Sequence, residues 1–398
     1  MNNLCKIPFK ELYIEQAKDG IAACCQQKTV KDLTKNSLTD NFYNNDFLKK
    51  LRQDFLDGKR PEECSRCWAL EDQGLTSYRT TMARGHVDTD LELKSLDIRL
   101  GNKCNLACKM CTPEYSNQLA KKMYDAIQDG SYIPSPDKNN PEWQEILKTG
   151  DAIRPVNHQL VDNIFNTVLE NPSIEQLKFG GGEPFIMPEV TLLLQKLVDA
   201  DRAKNIHIFS LTNCTTIKTS FIELLKNFKS VEISCSIDGV GKWIEFQRTG
   251  CNWESIKKNY AKLKKQEHNN WIITLTPVIT QLNLLGVAEF LKWAINEKPQ
   301  YIAFNEVNHP KHFRWQTVPM KYRKKLINEL ESINLKQHFI DTNWIQFKKN
   351  LKTELHRLNA EDRHKWSGDL ILWEHGAKDN EKYFVNYPWG KDLYEGNI

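Results

Sequence analysis

The sequence predicts an α/β fold: a partial (β/α)6 TIM-like barrel over residues 93–310, a small N-terminal α+β domain over residues 1–85, and a helical C-terminal extension over residues 311–398. Three observations predict it. Six strand-like segments in the middle of the chain are separated by helical patterns, which argues for a parallel sheet that right-handed crossovers curl into a barrel. Four chemistry-bearing segments fall at the C-terminal ends of those strands, where such barrels carry their active sites. Cysteines crowd the first part of the chain: eight of eleven precede residue 112 and none follows residue 251.

In chain order, residues 12–25 read as a β-hairpin, because Asp19-Gly20 is a strong two-residue turn signal. Residues 95–100 form the first barrel strand and lead directly into a cysteine loop. Thr112-Pro113 then opens a helix, with Thr at the N-cap and Pro at the first helical position. Residues 130–157, with Pro134, Pro136 and Pro141, read as a surface excursion. The next strand, residues 176–179, runs into Gly180-Gly181-Gly182-Glu183-Pro184. The helix after it sets Val190, Leu193, Leu194, Leu197 and Val198 on one stripe. Strands follow at 206–212, 231–237, 271–278 and 301–307, with a helix from Leu284 that stripes Val287, Ala288, Leu291 and Ala294. A last helix from Asn343 places Trp344, Phe347, Leu351, Leu355 and Leu358 on one packing face.

The chain has 398 residues, 27% of them charged, and a mean hydropathy of −0.59, which fits a large water-facing fold. No run approaches the ~18 apolar residues of a membrane span. The start, Met-Asn-Asn-Leu-Cys-Lys, lacks the apolar core of a signal peptide, so a cytoplasmic location with no membrane partner is expected. In that reducing compartment the cysteines read as metal ligands in preference to disulfides. Net charge is only +4, but residues 311–365 carry +7, a section that could face nucleic acid or solvate a pair of amphipathic helices.

The most informative segment is Cys104-Asn-Leu-Ala-Cys108-Lys-Met-Cys111. Three thiolates this close can hold three irons of a [4Fe–4S] cube and leave the fourth iron open for a small molecule. A structural zinc site would require a fourth ligand nearby, and the nearest candidate is His86. Upstream, Cys64-Ser-Arg-Cys67 is a C-x2-C pair, with Cys5 and the Cys24-Cys25 pair further back. Neighbours on a strand face opposite sides, so one of Cys24 and Cys25 joins Cys5, Cys64 and Cys67 in a second four-cysteine site, for iron–sulfur or for zinc.

The C-x3-C-x2-C loop, the glycine-rich segment and the strand ends Leu211-Thr212-Asn213 and Ser234-Cys235-Ser236-Ile237-Asp238-Gly239 together resemble the radical S-adenosylmethionine (SAM) superfamily over residues 93–310. The resemblance implies that Cys104, Cys108 and Cys111 hold a [4Fe–4S] cluster whose open iron binds SAM. It also implies that Gly181, Gly182, Glu183 and Pro184 form the motif that holds the SAM amino group. Glycine allows close backbone approach and a carboxylate accepts from an ammonium. Thr212, Asn213 and Ser236 resemble further SAM contacts, and the Arg248 guanidinium fork suits the SAM carboxylate. Residues 5–79, with Trp68, Glu71, Gly74, Ser77 and Arg79 after the cysteine pair, resemble a twitch domain, a truncated SPASM-like unit that holds an auxiliary [4Fe–4S] cluster. The spacing from Gly20 favours Cys25 as its ligand, with Cys24 as the alternate.

The implied activity is reductive cleavage of SAM to a 5′-deoxyadenosyl radical, with electrons from an external flavodoxin- or ferredoxin-like donor. The radical then takes hydrogen from a peptide or small-molecule substrate, giving oxidation, epimerisation or crosslinking. Cys214 and Cys251 are candidate hydrogen donors in such chemistry, whereas Cys235 reads as core. RNA modification through the basic C-terminal section is the alternative reading, and a non-enzymatic zinc-stabilised binding protein is the second.

Overall fold

The fold was obtained as a computed structural model that describes residues 3–16, 20–27, 30–31, 45–72, 74, 77–82, 88–128, 158–268, 270–307, 313–318, 320–333, 344–345, 347–348 and 351. The expected 130–157 excursion, Asp19 of the hairpin turn, His86, Leu355, Leu358 and most of the basic C-terminal section lie outside these residues. Thirteen strands are described. They are β1 (Glu11–Glu15), β2 (Gly20–Ala22), β3 (Val30–Lys31), β4 (Ser95–Arg99), β5 (Ala107–Cys108), β6 (Gln176–Phe179), β7 (His207–Thr212), β8 (Ser230–Cys235), β9 (Arg248–Thr249), β10 (Trp271–Leu275), β11 (Val278–Ile279), β12 (Tyr301–Ile302) and β13 (Asn305–Glu306).

The chain divides into two compact units. The first comprises Met1–Asn102, Arg154–Ser210 and Lys218–Glu232. Its sheet runs β7-β6-β4-β1-β2-β3, parallel from β7 to β1 and antiparallel from β1 to β3. Alternation explains the pairing: Leu12, Ile14, Leu96, Ile98, Leu177 and Phe179 are buried on one face, and Glu11, Tyr13, Ser95, Asp97, Gln176 and Lys178 occupy the other. The sequence reading assigned the first hairpin to a separate N-terminal domain. In the structure β1 is a parallel neighbour of β4, so β1, β2 and β3 share the sheet of the first barrel strand. Helix Pro188–Asp199 buries Val190, Leu193, Leu194 and Leu197 of the expected stripe, with Val198 half-buried, and helix His158–Glu170, which the sequence reading did not name, buries Leu160, Val161, Ile164 and Val168 beside it.

The second unit comprises Lys103–Ile153, Leu211–Ile217 and Ile233–Ile398. Here β10 lies between β12 and the end of β8, β11 pairs with β13, and β5 pairs antiparallel with β9. The strand expected over 271–278 breaks into β10 and β11 at Thr276-Pro277, because proline has no N–H to give the ladder. The helix expected at Thr112-Pro113 makes only a 3-10 turn, Pro113–Tyr115. The α-helix begins at Asn117, where Ser116 is extended and its Oγ accepts from Leu119 N at 3.1 Å. Helix Val287–Glu297 buries Val287, Ala288, Leu291 and Ala294 as expected. Among the described residues, no helix is long and apolar enough to cross a membrane.

Candidate functional site

In the second unit the cysteine loop is held at both ends. Cys108 pairs across the β5–β9 ribbon with Arg248, and Lys109 N donates to Gln247 O at 2.9 Å. On the other side, Asn117 Oδ1 accepts from Cys104 N at 2.7 Å and Ser116 Oγ donates to Leu106 O at 2.5 Å. A turn from Cys111 N to Cys108 O closes the last three residues. Burial pushes the Cys111 thiol up to about 12, with Cys104 adding to the effect. Burial also raises Cys108, and Arg248 opposes it while Cys111 and Cys104 reinforce it. Three thiols in one another's field cannot ionise together without a positive charge between them. That donor set fits an iron–sulfur cluster. Among the described residues, no three His, Cys, Asp or Glu side chains already converge on a single-ion site.

The strand-end residues expected near the loop are brought to it. Asn213 Nδ2 donates to Asn105 Oδ1 at 3.0 Å and points to Cys104 Sγ at 4.0 Å. Thr212 O accepts from Ser236 N at 2.8 Å, and its Oγ1 accepts from Cys214 N at 3.1 Å. Arg248 is placed differently from its expected role. Its fork is committed to the buried Asp238: Nε meets Oδ2 at 2.6 Å and Nη2 meets Oδ1 at 3.0 Å. Nη1 points to Cys108 Sγ at 4.0 Å. Burial alone would loosen the Arg248 proton, but Asp238 and then Cys108 outweigh it and hold the charge. The sequence reading gave Asp238 no role. It also accepts from Gln247 Nε2 and Val278 N, at 2.8 and 2.9 Å. The signal available was an aspartate at a strand end ten residues before an arginine.

The remaining cysteines of this unit separate. Cys214 has φ +60 and is fully buried, and both it and Cys235 press electrostatically on Tyr260 of helix Trp253–Lys264. Cys214 is thus packed inside this unit. Cys251 stands in the field of Arg248 and Asp238, and burial pushes its thiol up to about 12.

In the first unit, the glycine-rich loop follows β6. Gly181 and Gly182 have φ of +68 and +51. A Cβ on Gly180 would lie 2.6 Å from Arg99 Cζ and Nη1, so the Arg99 guanidinium packs where a side chain would stand. Glu183 is buried and its Oε1 accepts from Phe185 N at 3.2 Å. A cavity of about 300 Å³ lies at the starting ends of β4, β6, β7 and β8, lined by Ser95, Gln176, His207 and Ser230 among others. It is at the other end of β6 from the glycine loop, where such sheets seldom place chemistry.

The N-terminal cysteines gather in this unit. Burial pushes Cys5 and Cys64 up to about 12 each; Cys67 adds to Cys5, and Cys5 and Cys67 add to Cys64. Cys24 is raised by burial, then by Cys25, Cys5 and Cys64. Cys25 is raised by burial and then feels Asp97, Arg99 and Glu11. Cys24 thus feels Cys5 and Cys64, whereas Cys25 feels Asp97, Arg99 and Glu11 more strongly. The strand argument did not apply, because β2 ends at Ala22 and both cysteines sit in a turn, with Gln27 N donating to Cys24 O at 3.1 Å. Trp68, Glu71, Ser77 and Arg79 brace this group. Arg79 pairs with Glu71, lies 4.6 Å over the Trp68 ring, and donates to Leu4 O at 2.9 Å, tying the Cys5 segment to the helix that carries Cys67.

Residues 98–294 match the Radical SAM superfamily model, so this stretch is a radical SAM domain. The chain matches no curated protein. Solved structures similar to it include anSMEcpe with bound AdoMet, at 17% identity and a TM-score of 0.40, covering 59% of each chain. Streptococcus suis SuiB bound to the precursor peptide SuiA is similar at 13% identity and a TM-score of 0.40, covering 82% of this chain and 60% of that one. The methyltransferase TsrM from Kitasatospora setae is similar at 9% identity and a TM-score of 0.37, covering 53% and 36%. The chain spans about three fifths of the length of the first of these.

Proposed function

We propose that the radical SAM domain of residues 98–294 binds a [4Fe–4S] cluster through Cys104, Cys108 and Cys111 and uses SAM to oxidise, epimerise or crosslink a peptide or small molecule. The observation that carries this reading is the trio itself: three thiols on one loop of a matched domain, each in the field of the others. Such a cluster with SAM supplies reductive cleavage to a 5′-deoxyadenosyl radical, fed by an external one-electron donor of the flavodoxin or ferredoxin kind. The chain's own residues position the ligands. Asn213 orients the Cys104 end of the loop, and the Asp238–Arg248 pair anchors Cys108 through the ribbon. Thr212 and Ser236 fix the strand ends beside it. On its motif alone, the loop of residues 180–183 is assigned to the SAM amino group. Cys5, Cys24, Cys64 and Cys67 are assigned to an auxiliary [4Fe–4S] cluster.

Anaerobic reconstitution tests this. Two cubes predict about eight irons per chain, falling to about four when Cys104, Cys108 and Cys111 are all changed to alanine. The parent should form 5′-deoxyadenosine from SAM and dithionite, and the triple variant should not. A colourless protein that retains zinc and forms no 5′-deoxyadenosine would overturn the reading.

A further inference from the structure

Asp238 and Arg248 form a buried ion pair beside the cysteine loop, and its geometry is one-sided. The Nε–Nη2 edge of the guanidinium is taken by Asp238, at 2.6 and 3.0 Å. Nη1 lies outside that fork and points to Cys108 Sγ at 4.0 Å. Both partners are pinned. Cys108 and Arg248 face each other across the β5–β9 ribbon. The Asp238 carboxylate also accepts from Gln247 Nε2 and Val278 N, and its backbone oxygen accepts from Asn283 Nδ2 at 2.8 Å. Gln247 is tied in turn, since its Oε1 accepts from Thr280 Oγ1.

A buried ion pair seldom adds net stability over apolar side chains of the same volume, because desolvation offsets most of the attraction. This pair does place a full positive charge against one thiol of the trio. At Cys108 the pull of Arg248 toward the thiolate exceeds the opposing push of Asp238, and the same positive charge is felt at Cys111. A fixed positive charge beside a ligand sulfur stabilises the more negative of two oxidation states. Hydrogen bonds to the sulfurs and the charge around them are the levers by which a protein sets an iron–sulfur potential.

We propose that Arg248, locked in place by Asp238, is a positioning residue that raises the reduction potential of the cluster held by Cys104, Cys108 and Cys111. The inference deepens the radical SAM reading and rests on it for the presence of that cluster. The step it favours is a one-electron reduction: the electron comes from the external donor, no bond forms or breaks, and the guanidinium meets the added negative charge.

The test is an EPR-monitored redox titration of the anaerobically reconstituted full chain with titanium(III) citrate. The signal of the loop cluster is the one that changes when SAM is added. In Arg248→Met, reduction should become roughly tenfold less favourable, the lower end of what a hydrogen bond to a charged group is worth, and the midpoint should fall by about 59 mV for one electron. That variant strands Asp238, so Arg248→Met with Asp238→Asn is the second; it removes both charges, leaves an acceptor for Val278 N, and should shift in the same direction. Arg248→Lys keeps the charge and should stay nearer the parent than either. An unchanged midpoint in the double variant overturns the proposal, as does Arg248→Lys shifted as far as the double variant. Loss of about four irons per chain in the double variant also overturns it, because the pair would then hold the loop and not tune it. A parent with a SAM-responsive signal, and variants that share its midpoint, sinks only the role of Arg248. A parent in which no signal responds to SAM sinks the radical reading and that role with it.

Discussion

Removing the Asp238 carboxylate should be among the most damaging single changes in the chain. Asp238 is 1% exposed and accepts four hydrogen bonds, from Arg248 Nε, Arg248 Nη2, Gln247 Nε2 and Val278 N, at 2.6, 3.0, 2.8 and 2.9 Å. In Asp238→Ala the Arg248 guanidinium stays buried without its partner, which costs about 3–5 kcal/mol. Two further donors lose their acceptor; the lower end of the usual penalty adds about 1 kcal/mol each. The expected loss is therefore about 5–7 kcal/mol, against a net stability of about 5–15 kcal/mol for ordinary domains. Urea unfolding of the reduced, metal-free protein at pH 7, followed by tryptophan fluorescence, measures it. The double variant Asp238→Ala with Arg248→Met should recover a substantial part of the loss, because it removes the stranded charge. A single variant within about 1 kcal/mol of the parent, or a double variant no more stable than the single, would refute this reasoning.

Cys24→Ala should lower iron by about four per chain after reconstitution, and Cys25→Ala should leave it unchanged; the reverse pattern returns the ligand to Cys25. Ala at Gly180 should cost about 1–3 kcal/mol by displacing the Arg99 guanidinium, and the cost should vanish in an Arg99→Ala background, as a double-mutant cycle would record. His207 is held below its usual value by burial and then by Lys229, with Ser230 Oγ at 2.7 Å from Nδ1. Its depressed value means stability that is present above about pH 6.5 and lost as pH falls through the folded value. Unfolding curves from pH 8 to 5 should show that loss in the parent and a smaller one in His207→Gln.

What could be read from the sequence was local. Short strand-like runs located β4, β6 and β7, and 3.6-period stripes located the helices that bury Val190–Leu197 side chains and Val287–Ala294 side chains, because each pattern is written within a few residues. The cysteine loop was legible for the same reason. What failed needed a partner far along the chain. The Asp19-Gly20 turn signal marks a hairpin over residues 12–25 but does not say that β1 also has a neighbour 84 positions away at Ser95. Strand parity had no purchase on Cys24 and Cys25, because β2 ends at Ala22 and both lie beyond it in a turn whose geometry the sequence does not write.

The two arginines make the point sharply. Arg99 and Arg248 both stand near expected ligand sites, and residue type alone offers each as a carboxylate clamp. Burial decides otherwise for Arg248: a guanidinium taken out of water must spend its fork on a carboxylate of the chain, and Asp238 is already there. Arg99 instead lies across glycines that leave room for it and forms an ion pair with Asp97, Nη1 to Oδ1 at 2.5 Å. One arginine is therefore closed to ligands by Asp238, and the other is held between Asp97 and the glycine backbone. Neither placement is announced by residue type, because each depends on where the fold sets the partner.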